Sequence, residues 1–171
     1  MMRGLRGKTV LVTGGGGAIG RAICRRFGDE GAVVGVLDVN GEGAAQTAEL
    51  IRQAGGRAQA HGVDITDYAA VRQAVAAFEQ AAGPTDILVN NAGWDRFANF
   101  LDTDLAFWEQ VIGINLRGPL NLHHVVVRGM AARRGGKVVN IASDAGRVGS
   151  SGEAVYAGCG GTMPIINPCA E

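Results

Sequence analysis

The run Val10-Leu11-Val12-Thr13-Gly14-Gly15-Gly16-Gly17-Ala18-Ile19-Gly20 restricts this chain more than any other stretch, because an apolar strand breaks into a glycine loop that opens a helical pattern. Within it, Gly15-x-Gly17-x-x-Gly20 has the spacing in which glycines permit a tight turn, close approach of a pyrophosphate to the backbone, and close packing of helix on strand. The helix N-terminus adds free N–H groups for phosphates. A phosphate loop of the NTPase kind needs Lys and then Ser or Thr after the last glycine; here Arg21 and Ala22 follow Gly20. Four consecutive glycines match several templates, so the surroundings of the loop decide its meaning.

With 171 residues, 47% hydrophobic and 19% charged, the composition is that of one ordinary globular domain. Sixteen basic and sixteen acidic residues leave no net charge, which speaks against a nucleic-acid or membrane-surface partner. No stretch reaches the ~18–20 uninterrupted apolar residues of a membrane span. Met1-Met2-Arg3-Gly4 leads into a strand pattern rather than a signal sequence, so a cytoplasmic location is expected. Cys24, Cys159 and Cys169 are odd in number and lack C-x-x-C spacing, the pattern of reduced thiols rather than of disulfides or zinc. His123 and His124 are adjacent, which on a helix turns them about 100° apart instead of onto one metal. No metal site is expected.

Strand-like and helix-like patterns alternate along the chain without a linker or a longer repeat. Strands are expected at 8–13, 32–37, 57–63, 86–89 and 137–142. Helical spacing links Ile19, Ala22, Ile23 and Phe27, then Ala44, Ala45, Ala48 and Ile51, then Val71, Ala74, Val75 and Phe78. Gly31, Gly55-Gly56 and Gly83-Pro84 stop these helices. A long helix is expected from Asp104 to about Arg133, packing through Leu105, Trp108, Val111, Ile112, Leu116 and Leu120 and bent locally by Gly118-Pro119. Repeated β-α units imply an α/β fold with a doubly wound parallel sheet, whose ligands bind beyond the carboxyl ends of the strands. Asp38, Asp64, Asn91 and Ser143 all fall on that rim.

Asp38 ends the second strand, where a carboxylate can accept hydrogen bonds from the ribose hydroxyls of a dinucleotide or cap the following helix. Val36-Leu37-Asp38-Val39-Asn40 offers no Arg or Lys to receive a 2′-phosphate, so the expected cofactor is NAD rather than NADP.

On these residues the chain resembles the short-chain dehydrogenase/reductase family, whose fold is Rossmann-like. Thr13-Gly14-x-x-x-Ala18-Ile19-Gly20 is similar to the family's T-G-x-x-x-G-x-G loop, with Ala18 in place of a glycine and Gly17 beside it. Asp64-Ile65 resembles its adenine-side pair, and Asn90-Asn91-Ala92-Gly93 its N-N-A-G motif. Asn115 in Ile114-Asn115-Leu116 matches its active-site asparagine, and Ser143 and Tyr156 its catalytic serine and tyrosine. The likeness implies cofactor contacts at Gly14, Gly16, Gly17 and Ile19, at Asp38, Asp64 and Ile65, and at Asn91, Ala92 and Gly93. It runs from residue 5 to about 159, so a dinucleotide-binding and catalytic domain is expected at 1–159 and an atypical tail at 160–171. The fold is expected to be incomplete at its carboxyl-terminal end, and the complete protein to be a homotetramer. Asn91-Ala92-Gly93-Trp94-Asp95 and the stretch 140–156 are similar to family members that act on alicyclic hydroxyacyl-CoA esters, with Trp94 and Asp144 as candidate pocket residues.

The reaction implied by the resemblance is hydride transfer between nicotinamide and a secondary alcohol or ketone. The hydride chemistry is the cofactor's, and the protein supplies proton transfer and a steadying donor. In the family pattern Tyr156 is the acid/base, Ser143 orients the substrate oxygen and Asn115 holds a relay water. Tyrosine ionises near pH 10 unless a cation is close. The family places a lysine one turn further on, but the fourth residue after Tyr156 is Gly160. One lysine inserted between Cys159 and Gly160 would restore Y-x-x-x-K-G-G. Pro164 and Pro168 also cannot continue the tyrosine's helix. An incomplete or altered dehydrogenase is therefore expected, with a catalytically impaired nucleotide-binding fragment or interaction module as the alternative.

Overall fold

The computed structural model describes residues 4–162; Pro164, Pro168, Cys169 and the rest of the tail from 163 lie outside the described residues. Five strands form one sheet: β1 Thr9–Thr13, β2 Val33–Asp38, β3 Arg57–Gly62, β4 Ile87–Asn90 and β5 Lys137–Asn140. Their order is β3-β2-β1-β4-β5, and every pairing is parallel. The chain builds outward from β1 to β3 and then returns to start again at β4. That reversal leaves a crevice between the carboxyl ends of β1 and β4, the usual ligand position in such sheets.

Crossover helices α1 Ala18–Asp29, α2 Gly41–Gln53 and α3 Tyr68–Ala82 cover the faces. Because side chains alternate along a strand, β1 sends Val10 and Val12 one way and Leu11 the other. Val10 and Val12 join Val34, Val36 and Val89 against Cys24 of α1 and Ala44, Ala48 and Ile51 of α2. Leu11 joins Leu37 and Leu88 against Val71, Val75 and Phe78 of α3. Both faces of the central strands are thus buried, which is why those strands read as unbroken apolar runs. Full burial of each such side chain stabilises the fold by about 1.5–3 kcal/mol.

The faces of two helices differ from the sequence expectation. In α1 the buried positions are Gly20, Cys24 and Gly28, small residues that bring the helix close to the sheet, while Ile19 and Ala22 are exposed. The helix expected from Asp104 to Arg133 is three segments: α4 Leu105–Ile112, a wide π-helical turn Gly113–Arg117, and α5 Gly118–Ala132. Asp104 caps α4 by accepting the Phe107 N–H at 2.8 Å. The break precedes Pro119, which sits in the first turn of α5 where no N–H is needed. An extra residue per turn rotates the packing stripe, so Val111 is buried before the turn and Leu122, Val126 and Met130 after it, while Leu120 is exposed. Leu105, in the first turn of α4, is exposed as well. Arg134, with φ 51°, takes the left-handed position after α5.

Beyond β5, two short helices complete the described chain, α6 Ala145–Val148 and α7 Ala154–Thr162. α7 carries Tyr156 to the rim. Among the described residues β3 and β5 are the two edge strands, and Val139 of β5 is exposed. Among the described residues, no helix is long and apolar enough to cross a membrane.

Candidate active site

The loop from β1 to α1 is fixed by its own backbone. Gly14 adopts φ 64°, a left-handed conformation that suits glycine. The Gly15 N–H bonds the Leu37 carbonyl at 3.0 Å, and the Gly17 N–H bonds the Gly14 carbonyl at 3.2 Å. Gly20 passes so close beneath the loop that a Cβ there would run into the Gly14 carbonyl oxygen. Gly17 caps α1 without a side chain, so the first-turn N–H groups have no side-chain acceptor.

Neighbouring side chains brace the loop from below. Asp38 accepts the Gly16 N–H at 2.9 Å through Oδ2 and the Asn40 N–H at 2.9 Å through Oδ1. The helix cap is Asn40, which accepts from the Gly43 N–H at 3.1 Å, so Asp38 does not cap α2. Arg21 donates to the Gly16 carbonyl at 3.1 Å and to the Thr47 hydroxyl at 3.0 Å, and that hydroxyl donates to the Gly15 carbonyl at 2.9 Å. Thr13 is clamped to the next strand, its hydroxyl accepting the N–H groups of Asn91 and Ala92, each at 3.0 Å. Asn91 returns a hydrogen bond to the Thr13 carbonyl at 3.0 Å. Sequence reasoning gave Arg21 and Thr47 no part in the site. Thr47 lies on an ordinary helix face, and only the folded arrangement brings it under the glycines.

Above this floor lies a cavity of about 480 Å³ whose walls include Gly14, Gly17, Ile19, Asp38, Ile65 and the 91–94 segment. A second hollow of about 360 Å³ adjoins it and is lined by Asn115, Ser143, Tyr156 and Gly160. Ile19, Asn91, Ala92 and Gly93 belong to both, so the two form one continuous cleft. Of the residues singled out from sequence, Gly16 and Asp64 do not line it. Gly16 is turned onto Asp38, and the Asp64 carboxylate accepts from the Thr66 N–H and hydroxyl, both at 2.8 Å. Asp144 points to the surface, 3.5 Å from Arg147, whereas Trp94 does line the large cavity.

Asn115 owes its position to the wide turn. It is buried; its Oδ1 accepts the Trp94 N–H at 3.0 Å, and its Nδ2 donates to the carbonyls of Trp94 at 2.6 Å and Val111 at 2.8 Å. Both polar atoms of this side chain bond the Trp94 main chain, and Nδ2 also ties it to Val111 of α4, so the side chain positions Trp94. Ser143 Oγ accepts the Ala145 N–H at 3.2 Å, which leaves its O–H proton for a ligand in the hollow. Beneath the hollow, Asn90 donates to Asn140 at 2.9 Å. Its Oδ1 is buried without a hydrogen-bond partner.

A glycine cradle beside an uncapped helix N-terminus, opening onto a hydroxyl-lined hollow, fits a dinucleotide that ends in a reactive ring. A family model described as short chain dehydrogenase matches residues 8–160. The chain belongs to the short-chain dehydrogenase family. Among members of this family, a short chain dehydrogenase/reductase of Colletotrichum higginsianum is 40% identical over 152 residues, which are 85% of this chain and 56% of that one. A sorbitol dehydrogenase of Cereibacter sphaeroides is 40% identical over 153 residues, 89% of this chain and 59% of that one. The solved structure of an NAD+-bound xylitol dehydrogenase superposes with a TM-score of 0.92 at 33% identity, covering 96% of this chain and 64% of that one. This short-chain dehydrogenase thus spans less than two thirds of each of these relatives.

Proposed function

We propose that the chain is the nucleotide-binding and catalytic part of an NAD-dependent oxidoreductase that interconverts a secondary alcohol and its ketone. The observation that carries this reading is the single cleft joining Asp38 and the glycine cradle to Ser143 and Tyr156. The first-turn amides of α1 and Gly14 and Gly17 hold the pyrophosphate, and Ile65 and Val63 flank the adenine side. Asp38, with no cation beside it in sequence, accepts from the ribose hydroxyls and repels a 2′-phosphate. The bound nicotinamide supplies the hydride chemistry. In the hollow, the Ser143 hydroxyl donates to the substrate oxygen, Tyr156 transfers the proton there, and Asn115 holds the Trp94 peptide at the junction.

The NAD+-bound xylitol dehydrogenase and the sorbitol dehydrogenase favour polyols as first substrates to try. A hydroxyacyl-CoA is the second class, from the likeness of the 140–156 stretch. In this reading the complete protein works in the cytoplasm as a homotetramer. Titration of the chain with NADH and NADPH tests the cofactor assignment, with tighter binding of NADH expected; equal affinity for both, or no binding of either, overturns it.

Gly160 favours a second reading, a nucleotide-binding module with impaired chemistry, because no Lys, Arg or His is among the described residues lining the hollow. NADH formation with xylitol or sorbitol that disappears on Tyr156→Phe would remove that reading.

A further inference from the structure

We propose that Arg21 and Thr47 are positioning residues for a nucleotide: through the carbonyls of Gly15 and Gly16 they clamp the glycine loop into its binding shape before any ligand arrives. The pyrophosphate as the group served rests on the function proposed above.

A peptide unit is fixed when both its carbonyl and its N–H are bonded. In the unit joining Gly14 to Gly15, the carbonyl accepts from the Gly17 N–H at 3.2 Å and the Gly15 N–H donates to the Leu37 carbonyl at 3.0 Å. In the next unit, the Gly15 carbonyl accepts from the Thr47 hydroxyl at 2.9 Å and the Gly16 N–H donates to Asp38 at 2.9 Å. In the third, the Gly16 carbonyl accepts from Arg21 Nη2 at 3.1 Å and the Gly17 N–H returns to Gly14. Arg21 Nε closes the clamp by donating to the Thr47 hydroxyl at 3.0 Å. Beyond Gly17 this bracing stops, and the first-turn amides of α1 are left without a side-chain cap. Glycine loses more conformational freedom on ordering than any other residue, so a loop ordered in advance spares the ligand that cost.

The α2 helix comes close enough for this because glycine meets glycine. A Cβ on Gly16 would lie 2.9 Å from the Gly43 carbonyl carbon, and Thr47 stands one turn beyond Gly43 on the same buried face. Thr47 is fully buried, and its one hydroxyl proton has two carbonyls in reach, Gly15 at 2.9 Å and Gly43 of its own helix at 3.1 Å. The shorter contact is the one to the loop. Neither Arg21 nor Thr47 lines the large cavity, so both act through the glycines.

Thr47→Val keeps the shape and removes the hydroxyl, Thr47→Ser keeps the hydroxyl, and Arg21→Met removes the guanidinium. Amide hydrogen exchange of the whole free chain, well below its melting temperature, reads the clamp without a ligand. Residues 15–17 should exchange faster in Thr47→Val and Arg21→Met, and at the parent's rate in Thr47→Ser. ADP carries the diphosphate and adenosine does not. Affinity for ADP should fall roughly 3–10-fold in Thr47→Val and roughly 10–100-fold in Arg21→Met, while adenosine binds each variant as it binds the parent. Unchanged exchange, an equal loss for ADP and adenosine, or a serine variant as impaired as the valine one overturns the clamp. NADH keeps the two readings apart. A parent that binds neither ADP nor NADH while exchange responds sinks the dehydrogenase reading alone, and a parent that binds NADH no better than its Thr47→Val and Arg21→Met variants do sinks the clamp alone.

Discussion

The Asp38 carboxylate accepts the Gly16 N–H at 2.9 Å, so the residue that faces the large cavity from the end of β2 also ties down the glycine loop. In the proposed function the same side chain also accepts from the ribose of NAD, and two substitutions separate the brace from that second role. Asp38→Ala removes both the brace and the ribose acceptor. A hydrogen bond to a charged group is worth about 1.5–3 kcal/mol, or roughly 10–150-fold in affinity, and NADH affinity should fall by that factor. Asp38→Asn keeps an oxygen for Gly16 but drops the charge and turns its NH2 toward the exposed Asn40 N–H, so it should lower the thermal midpoint less than Asp38→Ala does while losing most of the preference for NADH over NADPH. Fluorescence titration with both nucleotides measures the ratio. A ratio unchanged in both variants would reduce Asp38 to a loop brace.

Gly20 and Gly17 should respond differently to the same added methyl group. At Gly20 a Cβ runs into the Gly14 carbonyl and comes within 2.9 Å of the Asn91 amide, so loop and helix must separate. Overpacking of this kind costs about 1–3 kcal/mol, and Gly20→Ala should lower the melting temperature and abolish NADH binding together. At Gly17 the nearest atom to a Cβ is the Gly14 oxygen at 3.5 Å, while the residue lines the cavity. Gly17→Ala should leave the melting temperature within about a degree or two of the parent, since a surface change costs under ~0.5 kcal/mol, yet weaken NADH binding. Equal losses of stability in the two variants would mean that the loop does not discriminate between its faces.

Much of this arrangement is legible in the sequence, because the central strands are buried on both faces and so appear as apolar runs punctuated by glycine. The rim positions of Asp38, Asn91 and Ser143 followed from strand ends alone. The wide turn at Gly113–Arg117 was not legible, since Ile114-Asn115-Leu116 fits an ordinary helix equally well and the extra residue is stabilised by what Asn115 reaches across the chain. Thr47 and Arg21 were missed for a related reason: their contacts join α1, α2 and the loop, and no local spacing encodes them. Ile19 was placed on the packing stripe of α1 by periodicity, and on the cofactor side by family likeness. Its exposure and its place in both cavities favour the second.

Asn115 offers a direct test of that turn. Its side chain satisfies both the N–H and the carbonyl of Trp94. Asn115→Ala leaves these groups unpaired in a largely buried place, at about 1–3 kcal/mol, and should lower the melting temperature by roughly 3–10 °C for a chain of this size. Asn115→Asp keeps the acceptor for the Trp94 N–H but sets a carboxylate against the carbonyls of Trp94 and Val111. It should be at least as damaging at neutral pH and recover as the carboxyl is protonated in acid. An aspartate variant as stable as the parent at pH 7 would show that the Trp94 clamp carries little of the site's rigidity.

Asp95 gives the clearest dependence on pH. Both of its carboxylate oxygens are buried, and neither has a hydrogen-bond partner in good geometry. Burial pushes its carboxyl above the usual range, the neighbouring Arg96 amide offsets this only in part, and Glu153, just before α7, adds to the rise. A raised value means that the folded chain holds the proton more tightly than the unfolded chain. The stabilising contribution is therefore complete below the unfolded value of about 3.9 and is lost as pH rises through the higher folded value. Asp95→Asn keeps the shape and stays neutral, so it should melt at a higher temperature than the parent at pH 7, with the difference shrinking as the pH is lowered toward 4. Thermal melts of both proteins across that range measure it. A variant less stable than the parent at pH 7 would mean that the Asp95 carboxylate has found a cationic or donor partner and that its ionised form is the one the fold prefers.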